Sequence, residues 1–177
     1  MNIEGLINHF EKKYNKKINE FNNSEWIEIS EFKYLSEKFI EKYENKVDWI
    51  YISIYQKLSE EFIGKYQNKV GWSCISKHQK LSEEFIEKYQ NEVDWYCISY
   101  YQKLSEEFME KYKNKVYWFW ISKCQKLSGE FIEKYKNKIY LKLISKENKI
   151  NYLQYKVKNS IISSEKYLKE ILKLRTK

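Results

Sequence analysis

The sequence predicts an all-α solenoid of short antiparallel helical hairpins. Three observations predict it. Trp26, Trp49, Trp72, Trp95 and Trp118 recur every 23 residues without a slip, and Leu35, Leu58, Leu81, Leu104 and Leu127 keep the same interval, as do Phe39, Phe62, Phe85, Phe108 and Phe131. Each period holds two stretches with apolar residues at helical spacing. No proline interrupts either stretch. A fixed short period marks units that stack on their neighbours and cannot fold alone.

Within one period, residues 49–71, the segment after Leu58 reads as a helix. Ser59 is a good N-cap, because its hydroxyl can accept from a free amide of the first turn. Glu60 and Glu61 suit the positive end of the helix. Phe62, Ile63, Tyr66 and Val70 fall on one face. Glu61 and Lys65 form an i,i+4 pair that recurs as Glu84/Lys88, Glu107/Lys111 and Glu130/Lys134. Asn68 is the expected stop, since Asn tolerates a left-handed conformation. The stretch from Trp49 to Gln56 reads as the partner helix, with Trp49, Ile52, Ser53 and Gln56 on one side. Asp48 and Asp94 cap such helices, whereas Gly71, Tyr117 and Tyr140 stand in the same place and cap less well.

The register runs from Trp26 to Ile144. Residues 1–25 form an N-terminal helical cap in which Phe10, Tyr14 and Ile18 echo the repeat face and Asn19 to Ser24 break the period. Residues 26–145 are five repeats and the start of a sixth. Residues 146–177 form a basic C-terminal cap, where Ser164, Glu165, Tyr167, Leu168, Ile171 and Leu172 predict an amphipathic helix that seals the last apolar face.

The charge is uneven. Residues 1–141 carry 23 Lys and 22 acidic residues, while residues 142–177 carry 10 basic and 3 acidic ones, so most of the net +8 belongs to the end. The first ten residues include Glu4 and lack an apolar core, so no signal peptide is expected. No apolar run is long enough to span a membrane. Cys74, Cys97 and Cys124, an odd number, suit reduced thiols in an intracellular compartment.

Comparison of the copies separates scaffold from variable surface. Trp, Ile, Ser and mostly Gln are constant on one side of the Trp helix. The variable positions lie opposite and align, on stacking, into a stripe. Tyr51, Tyr55, Tyr96, Tyr100, Tyr101, Phe119 and Trp120 make that stripe aromatic, a surface suited to a peptide, a protein groove or stacked bases, with a protein partner preferred. The competing expectation is that part of the stripe is inter-repeat packing.

The sequence argues against chemistry of other kinds. Two His and four Gly supply neither an acid–base constellation nor a phosphate-cradling loop, so no catalytic residue and no cofactor are expected. Cys74 and His78 are four residues apart with Cys97 one repeat on, but Cys124 falls two repeats from His78 at a helix spacing of about 8–10 Å per repeat, so a four-ligand site does not close although three ligands could, and no metal is expected. Nucleic acid is the alternative partner. Lys158, Lys166, Lys169, Lys173 and Arg175 supply charge near Tyr140, Tyr152 and Tyr155, although a single Arg limits base readout.

The repeat W-x-x-I-S-x-x-Q-K-L-S-E-E-F-I-E-K-Y-x-N-K-V-D resembles tandem repeats in proteins of large DNA viruses and of some AT-rich bacteria. The likeness covers Trp26 to Ile144 and is cleanest over Trp95–Lys115, apart from Met109 in the Ile place. It implies a helical-hairpin array and a host-directed interaction protein. It carries no activity and no site residue. The period is shorter than that of tetratricopeptide or ankyrin repeats, whose signature residues are missing.

Overall fold

The computed structural model describes residues 2–32 and 34–175, with Arg175 described by its backbone alone. Among these residues there are thirteen α-helices, one 3-10 turn and no strand. The chain divides into two compact units, Met1–Asp94 and Trp95–Lys177. The first holds α1 (Ile3–Tyr14), the 3-10 turn (Ile18–Glu20), α2 (Asn23–Glu31), α3 (Glu37–Lys42), α4 (Trp49–Tyr55), α5 (Glu60–Lys65), α6 (Trp72–His78) and α7 (Glu83–Lys88). The second holds α8 (Trp95–Tyr101), α9 (Glu106–Lys111), α10 (Trp118–Cys124), α11 (Gly129–Lys134), α12 (Lys146–Lys158) and α13 (Ser164–Arg175).

Each repeat is a hairpin of a Trp helix and a Phe helix, six or seven residues each apart from the nine-residue α2. Helices this short are unstable alone and depend on packing. In the first unit the Trp helices α2, α4 and α6 pack side by side, and in the second α8 packs on α10. The apolar core is the repeated set: Ile52, Leu58, Phe62, Ile63, Tyr66 and Val70 are all buried, with their counterparts one period on. Trp49, Trp72, Trp95 and Trp118 are half-buried. The Trp49 ring lies 4.8 Å from Tyr66, and its indole N–H donates to the Glu44 carbonyl. Trp26, just after the broken period, is buried with its indole nitrogen unpartnered.

Within each unit, two buried polar residues bolt one repeat to the next. Ser53 Oγ donates to the Trp49 carbonyl (2.6 Å) and accepts from the Gly71 N–H (3.0 Å). Ser30, Ser76, Ser99 and Ser122 do the same. Gln79 Nε2 donates to the carbonyls of Ser53 and Gln56, while its Oε1 accepts from Leu58 N–H. Gln56 and Gln125 repeat the clasp. A buried backbone group needs a partner, and these side chains supply it where one hairpin turns into the next. Ser53→Ala therefore costs about 1–3 kcal/mol, because it strips the partner from the Gly71 amide. Chemical denaturation of that variant checks it, and an unchanged midpoint would contradict the relay.

The Phe helices start as expected. Ser36, Ser59, Ser82, Ser105 and Ser128 each accept from the amide three residues on. Their ends differ from expectation. α5 stops at Lys65, and the Tyr66 carbonyl then accepts from both Lys69 and Val70 N–H. Asn68 is not left-handed; among the described residues only Asn15, Tyr34 and Ser160 have positive φ outside glycine. Successive carbonyl acceptance closes the turn, so no left-handed residue is needed.

Two of the expected i,i+4 Glu–Lys pairs, at Lys65 and Lys134, are also corrected. Lys65 pairs with Glu41 and Lys134 with Glu110, each 24 residues back and one hairpin away. Hydrogen bonding to Lys134 holds Glu110 below the ordinary 4.5, and the Glu110 carboxylate raises Lys134 above 10.5. Glu41 likewise raises Lys65. The Glu110 contribution is present above pH 4.5 and is lost as pH falls through its lowered value. The lysine contributions are fully present below pH 10.5 and are lost as pH rises through their raised values. By these pairs alone, thermal melts should be level between these limits and fall on both sides, while the lowered His78 and the raised Cys124 narrow the plateau to about pH 6.5–9. A melt that is level into strong acid would remove the carboxylates from the account. All four side chains are substantially exposed, so each pair adds little by itself.

The C-terminal seal is α12, not α13. Leu141–Leu143 form a turn where a sixth Trp helix would begin. Ser145, at the relay-serine position, instead N-caps α12. Asn148 replaces the clasping Gln: its Oδ1 accepts from Leu127 N–H and its Nδ2 donates to the Gln125 carbonyl. α12 packs on α11, and Gly129 permits the approach. A Cβ there would sit 2.3 Å from Tyr155 Cβ and 2.5 Å from the Asn151 carbonyl oxygen. Gly129→Glu, which restores the residue found in the other repeats, should push α12 off α11. Faster hydrogen exchange in 146–158 checks this, and unchanged exchange would contradict it.

Candidate aromatic interface

The candidate site grows from the outward side of the Trp helices. The position after Trp is open: Ile50, Tyr96 and Phe119 are 50%, 46% and 41% exposed. So is the position of Tyr55 and Tyr101, which are 49% and 46% exposed. The two positions between them point partly inward. Cys97 is buried, and Tyr51, Ile54, Cys74, Tyr100 and Trp120 are half-buried. The stripe therefore has wet edges and a packed middle.

In the second unit the rings form one connected cluster. Tyr101 lies against Tyr100 (4.3 Å between centroids), and Tyr100 meets Trp120 edge-on (4.4 Å). Trp120 also meets Tyr96 (5.5 Å) and Phe119 (4.8 Å). Such edge-to-face contacts are favourable for aromatic quadrupoles. Two further rings extend the cluster: Tyr117 against Tyr96 (5.5 Å) and Tyr140 against Phe119 (5.6 Å). They are 50% and 53% exposed. In the sequence both read as weak N-caps, and Tyr140 also as a ring beside the basic end, but neither reads as part of the stripe. The signal was there, since each puts an aromatic where Asp48 caps in another repeat. Asp48 accepts from Ile50 and Tyr51 N–H, whereas Tyr117 makes no side-chain cap.

Tyr51 and Tyr55 form a separate pair in the first unit, stacked at 6.1 Å and 12°. Beside Gly64 an open groove of about 870 Å³ is lined by Glu60, Glu61, Lys65, Lys88 and Tyr89. Glu60 there is tied to Ser82, and Lys65 to Glu41.

The second-unit face is short of negative charge. α8 and α10 contain no Asp or Glu. Lys123 Nζ sits 5.3 Å over the Trp120 ring, and Lys142 is exposed in the turn after Tyr140. Partial desolvation pushes the Cys124 thiol up and His78 down, away from a thiolate or an imidazolium. Among the described residues, no group of three or more His, Cys, Asp and Glu is arranged to hold a metal ion.

The residues of the nucleic-acid alternative lie on the last two helices. Lys158 and Lys166 are exposed, on α12 and α13. Lys169 pairs with Glu165 and Lys173 with Glu170. The side chain of Arg175, and Lys177, lie outside the described residues. Tyr152 donates to Glu133, and burial followed by that carboxylate pushes its hydroxyl up to about 12. Tyr155 packs over Gly129. These two rings are spent on the seal. No helix of the described residues is long and apolar enough to cross a membrane. Compared with family models, curated proteins and solved structures, the chain matches none.

Proposed function

We propose that the chain is a non-enzymatic repeat scaffold that binds an acidic peptide segment of another protein on the aromatic face of its second unit. One observation carries this reading: Tyr96, Tyr101, Tyr117, Phe119 and Tyr140 are all more than two-fifths exposed on one ring cluster, built around α8 and α10, which carry no Asp or Glu. Exposed contiguous apolar surface is uncommon without a partner, and aromatic rings dominate binding hot spots. The Tyr117 position adds support. An Asp-type cap contributes about 0.5–2 kcal/mol, and the chain forgoes it there for a ring that joins the cluster. Lys123 and Lys142 favour acidic residues in the partner. The resemblance to viral repeats supports a host-cell protein as that partner, met in a reducing, intracellular compartment.

Selection of random displayed peptides on the full chain tests the proposal. The expected winners are acidic and carry aromatic or aliphatic anchors. Winners that are basic, or that bind equally after Tyr96, Tyr101 and Phe119 are changed to Ser, would overturn it.

A further inference from the structure

The last helix, α13, has a half-open apolar side that the aromatic interface does not use. At 100° per residue Tyr167, Leu168, Ile171, Leu172 and Leu174 fall on one arc. α13 packs against α12. Tyr167, Ile171 and Leu174 are half-buried, but Leu168 and Leu172 are 58% and 60% exposed. Lys166, Lys169 and Lys173 are exposed around the opposite side of the helix. Residues 156–174 carry five basic and two acidic residues, so the open leucines sit in a positive field.

We propose that α13 docks on the surface of an anionic lipid bilayer. The charge complementarity selects the partner: lysines attract an anionic surface, and two adjacent leucines give the helix apolar area to sink into the headgroup boundary. A basic amphipathic helix of this kind lies on a membrane and does not span it. Nucleic acid fits less well. Phosphate binding uses the lysines but leaves Leu168 and Leu172 in water, and no exposed ring stands on α13 to stack on a base. The intrahelical pairs Lys169–Glu165 and Lys173–Glu170 are exposed and open readily beside a charged surface.

Flotation of the full chain with phosphatidylcholine vesicles, with and without phosphatidylglycerol, tests this. Binding is expected only with phosphatidylglycerol, weakening as salt rises from about 0.1 M to about 1 M. Leu168→Ser with Leu172→Ser should lower the partition at least about tenfold. Both leucines are largely exposed, so circular dichroism should report an unchanged fold. Lys166→Glu with Lys173→Glu should abolish binding at low salt. Absence of binding to the anionic vesicles overturns the proposal, as does binding indifferent to the two leucines. RNA binding by fluorescence anisotropy, indifferent to the leucines and unaccompanied by vesicle binding, would assign the basic end to nucleic acid instead.

Discussion

Phe85→Ala should destabilise the first unit by about 3–5 kcal/mol in chemical denaturation. Phe85 is buried, with its ring 6.2 Å from Trp72 and 4.6 Å from Tyr89. Removing it leaves a cavity between helices of only six and seven residues, which have little stability of their own to absorb the loss. In a nearest-neighbour array the damage stays local at first, so amides of α5 to α7 should exchange faster before those of α1. Trp72→Ala should cost less. Its indole is half-buried, and the Gln67 carbonyl that it serves is partly open to water. Equal midpoints for wild type and Phe85→Ala would contradict the core assignment.

The second large effect is on binding. Changing Tyr96, Tyr101 and Phe119 together to Ser should weaken the selected acidic peptides about 100-fold or more, since truncated hot-spot rings cost several kcal/mol together. Each ring is 41–46% exposed, so the stability change should stay within about 1 kcal/mol per site. Tyr100 and Trp120 are poor choices for this experiment. They are half-buried, and their edge-on contact holds α8 to α10. Their loss would mix unfolding with lost affinity. Isothermal titration of both forms with the same peptide reads the difference.

The period made the hairpins legible because it exposed local chemistry five times over. Ser59 before Glu-Glu-Phe caps wherever it recurs, and Asp48 caps its helix as a carboxylate should. What the sequence hid depends on neighbours. Lys65 has Glu61 four residues back and Glu41 twenty-four back, and only stacking decides that it takes Glu41. The relay of Ser53 joins Trp49 to Gly71, eighteen residues on, so the serine reads as a helix residue until the next hairpin is in place. The seal by α12 had a sequence signal in Gly129, which breaks a run of Glu at the same repeat position, but its meaning required the approach of Asn151. The aromatic stripe was legible as a set of residues. Its division into open edges and a packed middle was not, because that depends on where the adjacent Trp helix lies.

The most direct test of the central claim is a paired measurement on the Tyr96→Ser, Tyr101→Ser, Phe119→Ser variant: peptide affinity and thermal melting on the same sample. The account predicts affinity lost and the melting curve retained, because the rings face water and the repeat core lies beneath them. A variant that melts early while keeping its affinity would make the aromatic face part of the core and contradict the account.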